Sequence, residues 1–284
     1  MTAILALSAA MVYGTADFFG GVAARRTSPL AVTLFDHVVG LVLLAAVLPV
    51  LPATHPQPLD LLYGGAAGAL GAGGLILFYR ALSRGTMSVI APVAALFGAA
   101  VPVVVGIGLG EQLSLPALAG IAIAVAAVGL VSRERRVEGA ATTPAGQGLG
   151  HPLVLAVVAG AAFGGFFLLL SRTGEAAGLW PLFSARVVSV ALLASVTLLT
   201  GRSLRPTPGS RRLILAAGTG DILANVLYLL AVRHGLVSLV AVIVALYPAA
   251  TVLLAQVVLN ERLRRVQVAG LGLAASAAVL LAFA

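Results

Sequence analysis

The 284 residues contain no cysteine and no lysine. Without cysteine there can be no disulfide, no thiolate-ligated zinc and no iron–sulfur cluster. Charge of either sign is scarce, at 9% of residues, where a soluble domain carries about 25%. Hydrophobic residues make up 61%, too many for water to solvate the surface they would leave. No Gly-rich loop followed by Lys-Ser/Thr occurs, so no phosphate-cradling nucleotide site is expected. Gly71-Ala72-Gly73-Gly74 has neither the preceding strand nor the lysine that such a loop needs.

What is present is apolar sequence in lengths of about 20 residues, the span of a bilayer core. Ten runs are read at roughly 2–22, 29–51, 59–82, 86–108, 113–132, 151–171, 180–200, 212–233, 237–258 and 264–283. Residues Thr2 to Ala24 have no basic region before them and Arg25-Arg26 after them. That order fits a retained first helix rather than a cleaved leader.

A net charge of +8 can point to nucleic acid. Here the arginines cluster in short spacers between apolar runs, which reads as membrane orientation, with no nucleic-acid partner. Of 17 arginines, 14 fall in, or at the run ends bordering, the loops that join runs 1–2, 3–4, 5–6, 7–8 and 9–10. Basic loops stay cytoplasmic, so a bacterial-type cytoplasmic membrane with both termini outside is predicted.

The chain also matches itself. At an offset of 150 residues, Gly14 meets Gly164, Pro58 meets Pro208, Gly85 meets Gly235, Ser88 meets Ser238, Glu111 meets Glu261 and Gly120 meets Gly270. Over residues 78–131, 16 of 54 positions are identical. The predicted organisation is a five-helix repeat at 1–132, a connecting loop at 133–150 and a second five-helix repeat at 151–284. An odd number of spans per half inverts the second half in the membrane. The fold class is therefore an all-α integral membrane protein of ten transmembrane helices in two inverted repeats. In such proteins the substrate sits near the midplane, where the repeats meet.

The sequence resembles the EamA-type transporters of the drug/metabolite transporter superfamily. The residues that carry the resemblance are Phe78 to Leu82, Ser88 to Pro92 and Gly110-Glu111-Gln112-Leu113 with Gly120 and Gly129, then Leu227 to Ala231, Ser238 to Pro248 and Asn260-Glu261-Arg262-Leu263 with Gly270. The resemblance implies a 5+5 inverted repeat and export or exchange of amino acids, metabolites or drugs. Members of the family often carry an arginine early in the second span of each half. Arg186 fits that place, but its first-half counterpart is Asp36, followed by His37.

Ionisable side chains within a span usually face the bundle interior or a water-filled cavity. Asp17, Asp36, His37, Arg186 and Asp221 are the candidates. Asp221, Asn225 and Tyr228 are spaced to share one helical face and read as a cavity wall. Asp221 then serves proton coupling, or else pairs with an arginine. Tyr13 and Asp17 share a face that could seat an amine, unless Asp17 balances Arg25 or Arg26 near the surface. Arg186 either pairs with Asp36 or another structural partner, or binds a substrate carboxylate through its planar fork. Asp36 and His37 are further proton-coupling candidates, since histidine titrates near neutral pH.

Among the aromatics, Tyr79, Phe97, Phe163, Trp180 and Tyr247 are candidate lining residues, although Trp180 begins its span and reads better as an interface anchor, and Tyr247-Pro248 is read as a kink facing the bundle centre. Glu111 and Glu261 are expected to cap the next helix in the chain or to pair with nearby arginines such as Arg262. Gly64, Gly68 and Gly71, with Gly160 and Gly164, are spaced for close helix contact.

No set of His, Asp or Glu has metal-ligand spacing along the chain and no nucleophile–base pair is apparent. No cofactor, metal or enzymatic activity is therefore expected. The expected function is secondary active transport of small metabolites, by an exporter with or without proton coupling. The rivals are an uncoupled facilitator or exchanger, an intramembrane enzyme, and a membrane scaffold or lipid-handling protein. One chain holds both repeats, so a monomer suffices and a dimer is not required.

Overall fold

The computed structural model describes residues 1–51, 54–131, 150–201, 204–259 and 265–282. In chain order the helices are α1 (Thr2–Ala24), α2 (Pro29–Val47), α3 (Pro58–Leu82), α4 (Met87–Gly108), α5 (Leu115–Val131), α6 (Pro152–Ser171), α7 (Trp180–Thr200), α8 (Arg211–Val232), α9 (Val237–Val244), α10 (Pro248–Leu259) and α11 (Arg265–Ala282). No strand occurs among the described residues. Eight spans are long and apolar enough to cross a membrane, α9 and α10 together making one of them. The chain is thus a multi-pass membrane protein with the predicted all-helical fold. The inter-repeat loop falls almost wholly outside the described residues, as do Glu261 and Arg262.

Helix starts follow local chemistry. Proline opens α2, α3 and α6 at the first position, where its missing N–H would have had no partner anyway. Ser28 caps α2 by accepting from the Ala31 N–H, and His151 Nδ1 caps α6 by accepting from the Leu153 N–H. Asp60 closes a capping box with Gln57, and its other oxygen accepts from the Gly174 N–H at 2.8 Å. At the far end of α7, Gly201 adopts φ +60, the left-handed backbone that terminates helices.

The sequence reading takes residues 237–258 as one kinked span. In the structure it is two helices, α9 and α10, joined by a turn over Ala245, Leu246 and Tyr247. The cause is Pro248, which donates no hydrogen bond and whose ring clashes with the carbonyl four residues back. The first-half counterpart is Gly98, and α4 runs through it unbroken.

Packing realises the inverted repeat. The main contacts are α1 with α8, α3 with α6, α3 with α7, α2 with α8, α4 with α6, and α1 with α9 and α10. Exchanging the halves turns α1–α8 into α6–α3, α2–α8 into α7–α3, and α4–α6 into the contact of α9 and α10 with α1. The pair α5–α11 maps onto itself, and its two helices pack mainly on each other.

Small residues bring the central helices close. A side-chain carbon on Gly64 would strike the Pro181 backbone, and one on Gly68 the Ala185 backbone. Gly160 abuts the Ala94 carbonyl in the same way. Gly71 and Gly164 are also close contacts, against Phe166 and the Gly98 carbonyl respectively.

The ends of the bundle segregate as the arginine count requires. At one end Thr27 meets Thr207. At the other, Thr2 donates to the His234 carbonyl, His55 to the Ala176 carbonyl, and Arg233 to the Gly174 and Gly178 carbonyls. Partial burial lowers the pKa of Arg233 from its ordinary value, while the charges of Glu175 and Asp60 act the other way.

Glu111 lies at this second end and caps a helix, but not the next one in the chain. Its carboxylate accepts from the Val237 and Ser238 N–H groups and from the Ser238 hydroxyl. The cap therefore ties the end of α4 to the start of α9 in the other repeat.

Candidate functional site

A cavity lies where the repeats meet. Tyr13 and Asp17 enter it from α1, His37 from α2, Arg186 from α7, and Asp221 and Asn225 from α8. The opposite wall is apolar. Gly71 and Leu75 of α3, Ala94, Ala95, Gly98 and Ala99 of α4, Phe163, Phe166 and Phe167 of α6, and Ala241, Val244, Ala245 and Tyr247 of the broken span form it. Water centres can occupy about 60 Å³ of the cavity. That holds a few ordered waters or the polar end of a small solute.

The lining obeys the 150-residue offset in position and breaks it in chemistry. Asp221 and Asn225 stand where the first half has Gly71 and Leu75. Tyr13 and Asp17 stand where the second half has Phe163 and Phe167. Two like scaffolds thus present one charged wall and one aromatic wall to the same space.

Arg186 donates from Nη2 to Asp221 Oδ2, and the two form an ion pair whose side chains are only 6% and 15% exposed. The bundle interior is poor in water, so each charge depends on the other. Gly40 makes room for the guanidinium, because a side-chain carbon there would lie 2.9 Å from Arg186 Nε. Asn225 donates to the Asp221 carbonyl at 2.7 Å and accepts from the Tyr13 hydroxyl at 3.0 Å. A hydrogen-bonded chain therefore joins α1, α8 and α7. Asp17, half-buried on the cavity wall, has no hydrogen bond or ion pair among the described residues.

Behind this layer Asp36 is fully buried, and its Oδ2 accepts from the Tyr79 hydroxyl at 3.4 Å. Asp36 Oδ1, His37 Nδ1 and Thr33 Oγ1 are buried without a hydrogen-bond partner among the described residues. Folding brings one ligand atom each of Asp36, His37 and Asp221 within 4.8 Å of one another. Sequence spacing could not show this convergence, because 184 residues separate His37 from Asp221.

Several candidate residues sit elsewhere. Tyr228 does not line the cavity. Its ring packs against that of Phe167, tilted by 40° with centroids 4.5 Å apart, and its hydroxyl donates to the Phe167 carbonyl at 2.9 Å. Tyr79 is fully buried behind the wall. Phe97 is 38% exposed on the bundle exterior, and Trp180 packs against Phe183 at the start of α7. Arg186 pairs with Asp221 rather than Asp36.

The sequence reading missed Phe166, Phe167 and Thr33. Phe167 had a signal, since it aligns with Asp17 at the repeat offset. Thr33 had one too, being one turn from both Asp36 and His37.

The sequence model of the EamA-like transporter family matches residues 1–133 and 151–283. The chain belongs to that family, and so to the drug/metabolite transporter superfamily. Among curated proteins, none matches the chain in sequence. One solved structure, described as "Crystal structure of protein", is similar at a TM-score of 0.75 and 18% identity, over 99% of this chain and 96% of the other. At that identity the likeness concerns the fold.

Proposed function

We propose that this EamA-family chain is a secondary transporter that exports small amine-bearing metabolites, amino acids among them, by alternating access. The observation that carries the reading is the pairing state of the cavity charges. Arg186 is already neutralised by Asp221, whereas Asp17 is left beside Tyr13 and Tyr247 without a partner among the described residues. A carboxylate with aromatic rings around it attracts an ammonium group through charge and cation–π contact. The aromatic and alanine wall opposite suits the apolar part of such a solute.

The inverted repeat supports alternating access, in which one half rocks against the other around a midplane site. The Arg186–Asp221 pair supports proton coupling. A proton on Asp221 would release the guanidinium, and Asp36 and His37 are the adjacent groups able to hold or pass that proton. The arginine-rich loops favour a cytoplasmic membrane with both termini outside. Both repeats reside in one chain, so a monomer can complete the pathway.

The test uses everted membrane vesicles with an acidic interior followed by a pH-sensitive dye. Amino acids, other amines, nucleosides and carboxylates are added in turn. The expected result is dissipation of the gradient by amine-bearing solutes, with the response lost in Asp221→Asn at equal expression. Dissipation by simple carboxylates alone, or none by any solute, would refute the proposed substrate class and coupling.

A further inference from the structure

Three buried polar atoms on α2 have no hydrogen-bond partner among the described residues. They are Thr33 Oγ1, Asp36 Oδ1 and His37 Nδ1, on residues 0%, 0% and 2% exposed. Buried polar atoms are nearly always satisfied, so three orphans within one helical turn point to something that belongs between them. A carboxylate oxygen accepts, as does an imidazole Nδ1 when the proton sits on Nε2, and a cation satisfies both.

The donor set is specific. Asp36 and His37 come from the first repeat and Asp221 from the second, with one ligand atom from each inside a 4.8 Å circle. In the tetrahedral geometry of Zn²⁺, metal–nitrogen and metal–oxygen bonds of about 2.0–2.2 Å place ligand atoms roughly 3.4 Å apart. The three side chains therefore need to close by about 1.4 Å at most. Asp221 gives Oδ2 to Arg186, while its Oδ1 makes no hydrogen bond among the described residues, so one carboxylate can serve both. Arg186 would then orient a ligand from outside the coordination shell, a common device at metal sites.

We propose that Asp36, His37 and Asp221 bind a divalent first-row transition-metal ion, best matched by Zn²⁺, between the two repeats. Two carboxylates balance its charge, and an imidazole with carboxylate oxygens suits borderline ions of this class. Thr33 lies close enough along α2 to hydrogen-bond a water in the open coordination position. The ion bridges α2 and α8 at the level of the cavity in this conformation; it competes with the coupling proton for Asp36, His37 and Asp221 and leaves when the repeats rock apart. This site is independent of which solute the cavity carries.

The experiment titrates Zn²⁺ into the purified, untagged full chain in detergent, after treatment with chelator, by calorimetry. The chain has four histidines. The variant His55→Gln/His151→Gln/His234→Gln removes the three outside the site. The wild type and this triple variant should each bind one Zn²⁺ per chain with micromolar or tighter affinity. His37→Gln and Asp36→Asn should each weaken binding at least tenfold. Zn²⁺ should raise the melting temperature of the triple variant and leave that of His37→Gln unmoved. The visible spectrum of bound Co²⁺ should change on His37→Gln, which reports loss of a nitrogen ligand. The proposal is overturned by absence of saturable binding in the triple variant, or by equal affinity in His37→Gln and Asp36→Asn. No solute or gradient enters this measurement, so its failure leaves the transport reading standing, and failure of the vesicle assay leaves the metal site standing.

Discussion

Arg186 on α7 and Asp221 on α8 form an ion pair inside the cavity, although the aligned first-half positions, Asp36 and Gly71, cannot form one. The duplicated scaffold therefore draws its ion pair from the second half only. Asp36 joins that centre from across the repeat boundary, adding a second carboxylate near the same guanidinium.

Breaking the pair should be costly. Arg186→Gln leaves the Asp221 carboxylate buried without compensation, and removal of one partner of such a pair costs about 3–5 kcal/mol. Arg186→Gln/Asp221→Asn should recover at least half of that loss. Thermal melting of the four proteins in one detergent measures the coupling. Additive losses would mean the pair is not an energetic unit.

Asp17→Asn should behave in the opposite way. With no partner among the described residues, Asp17 should contribute little to folding, so the melting temperature should stay within a degree or two. If Asp17 recognises an ammonium group, KM for amine-bearing solutes should rise about tenfold, equivalent to about 1.4 kcal/mol, while uptake of uncharged solutes stays constant. A fall in melting temperature with KM unchanged would assign Asp17 a structural role.

Helix contact through glycine gives a stability prediction with an internal control. Gly68→Val drives a side chain into the Ala185 backbone, one residue from Arg186. Overpacking of this kind costs about 1–3 kcal/mol or more, and transport should fall with it. Gly73 has open space beside it, and Gly73→Ala should leave melting temperature and transport unchanged.

Glu111→Ala removes the acceptor for two N–H groups at the start of α9 and for the Ser238 hydroxyl. Loss of a helix cap costs about 0.5–2 kcal/mol. Because this cap joins α4 of one repeat to α9 of the other, protease cleavage at that end of the bundle should also accelerate. Glu111→Gln keeps an acceptor oxygen and should recover part of the loss.

The absence of cysteine makes orientation directly measurable. His55→Cys and Glu175→Cys lie at one end of the bundle, and Arg84→Cys and Gly209→Cys at the other. If the termini are outside, a membrane-impermeant maleimide should label the first two on intact cells. It should label the second two only after permeabilisation. The reverse pattern would overturn the arginine-based orientation.

The sequence by itself determined the membrane class, the span lengths, the duplication and the family. Each of these is written in runs and offsets along the chain: apolar stretches as long as a bilayer is thick, and an interval of 150 residues that recurs at glycines, prolines and glutamates. It also marked Tyr13, Asp17, Arg186, Asp221 and Asn225, because ionisable and polar groups inside a span must face something other than lipid. Helical periodicity left open which of them meet. A one-turn step separates Asn225 on the cavity wall from Tyr228, which packs against Phe167 instead. Tertiary structure alone decided that Arg186 takes Asp221 rather than Asp36. It alone also decided that Glu111 caps a helix in the other repeat, and that Asp36, His37 and Asp221 converge with acceptor atoms unfilled. The physical reason is the same in each case. These relations join residues on different helices, and how closely two helices approach depends on the glycines and rings between them, not on distance along the chain.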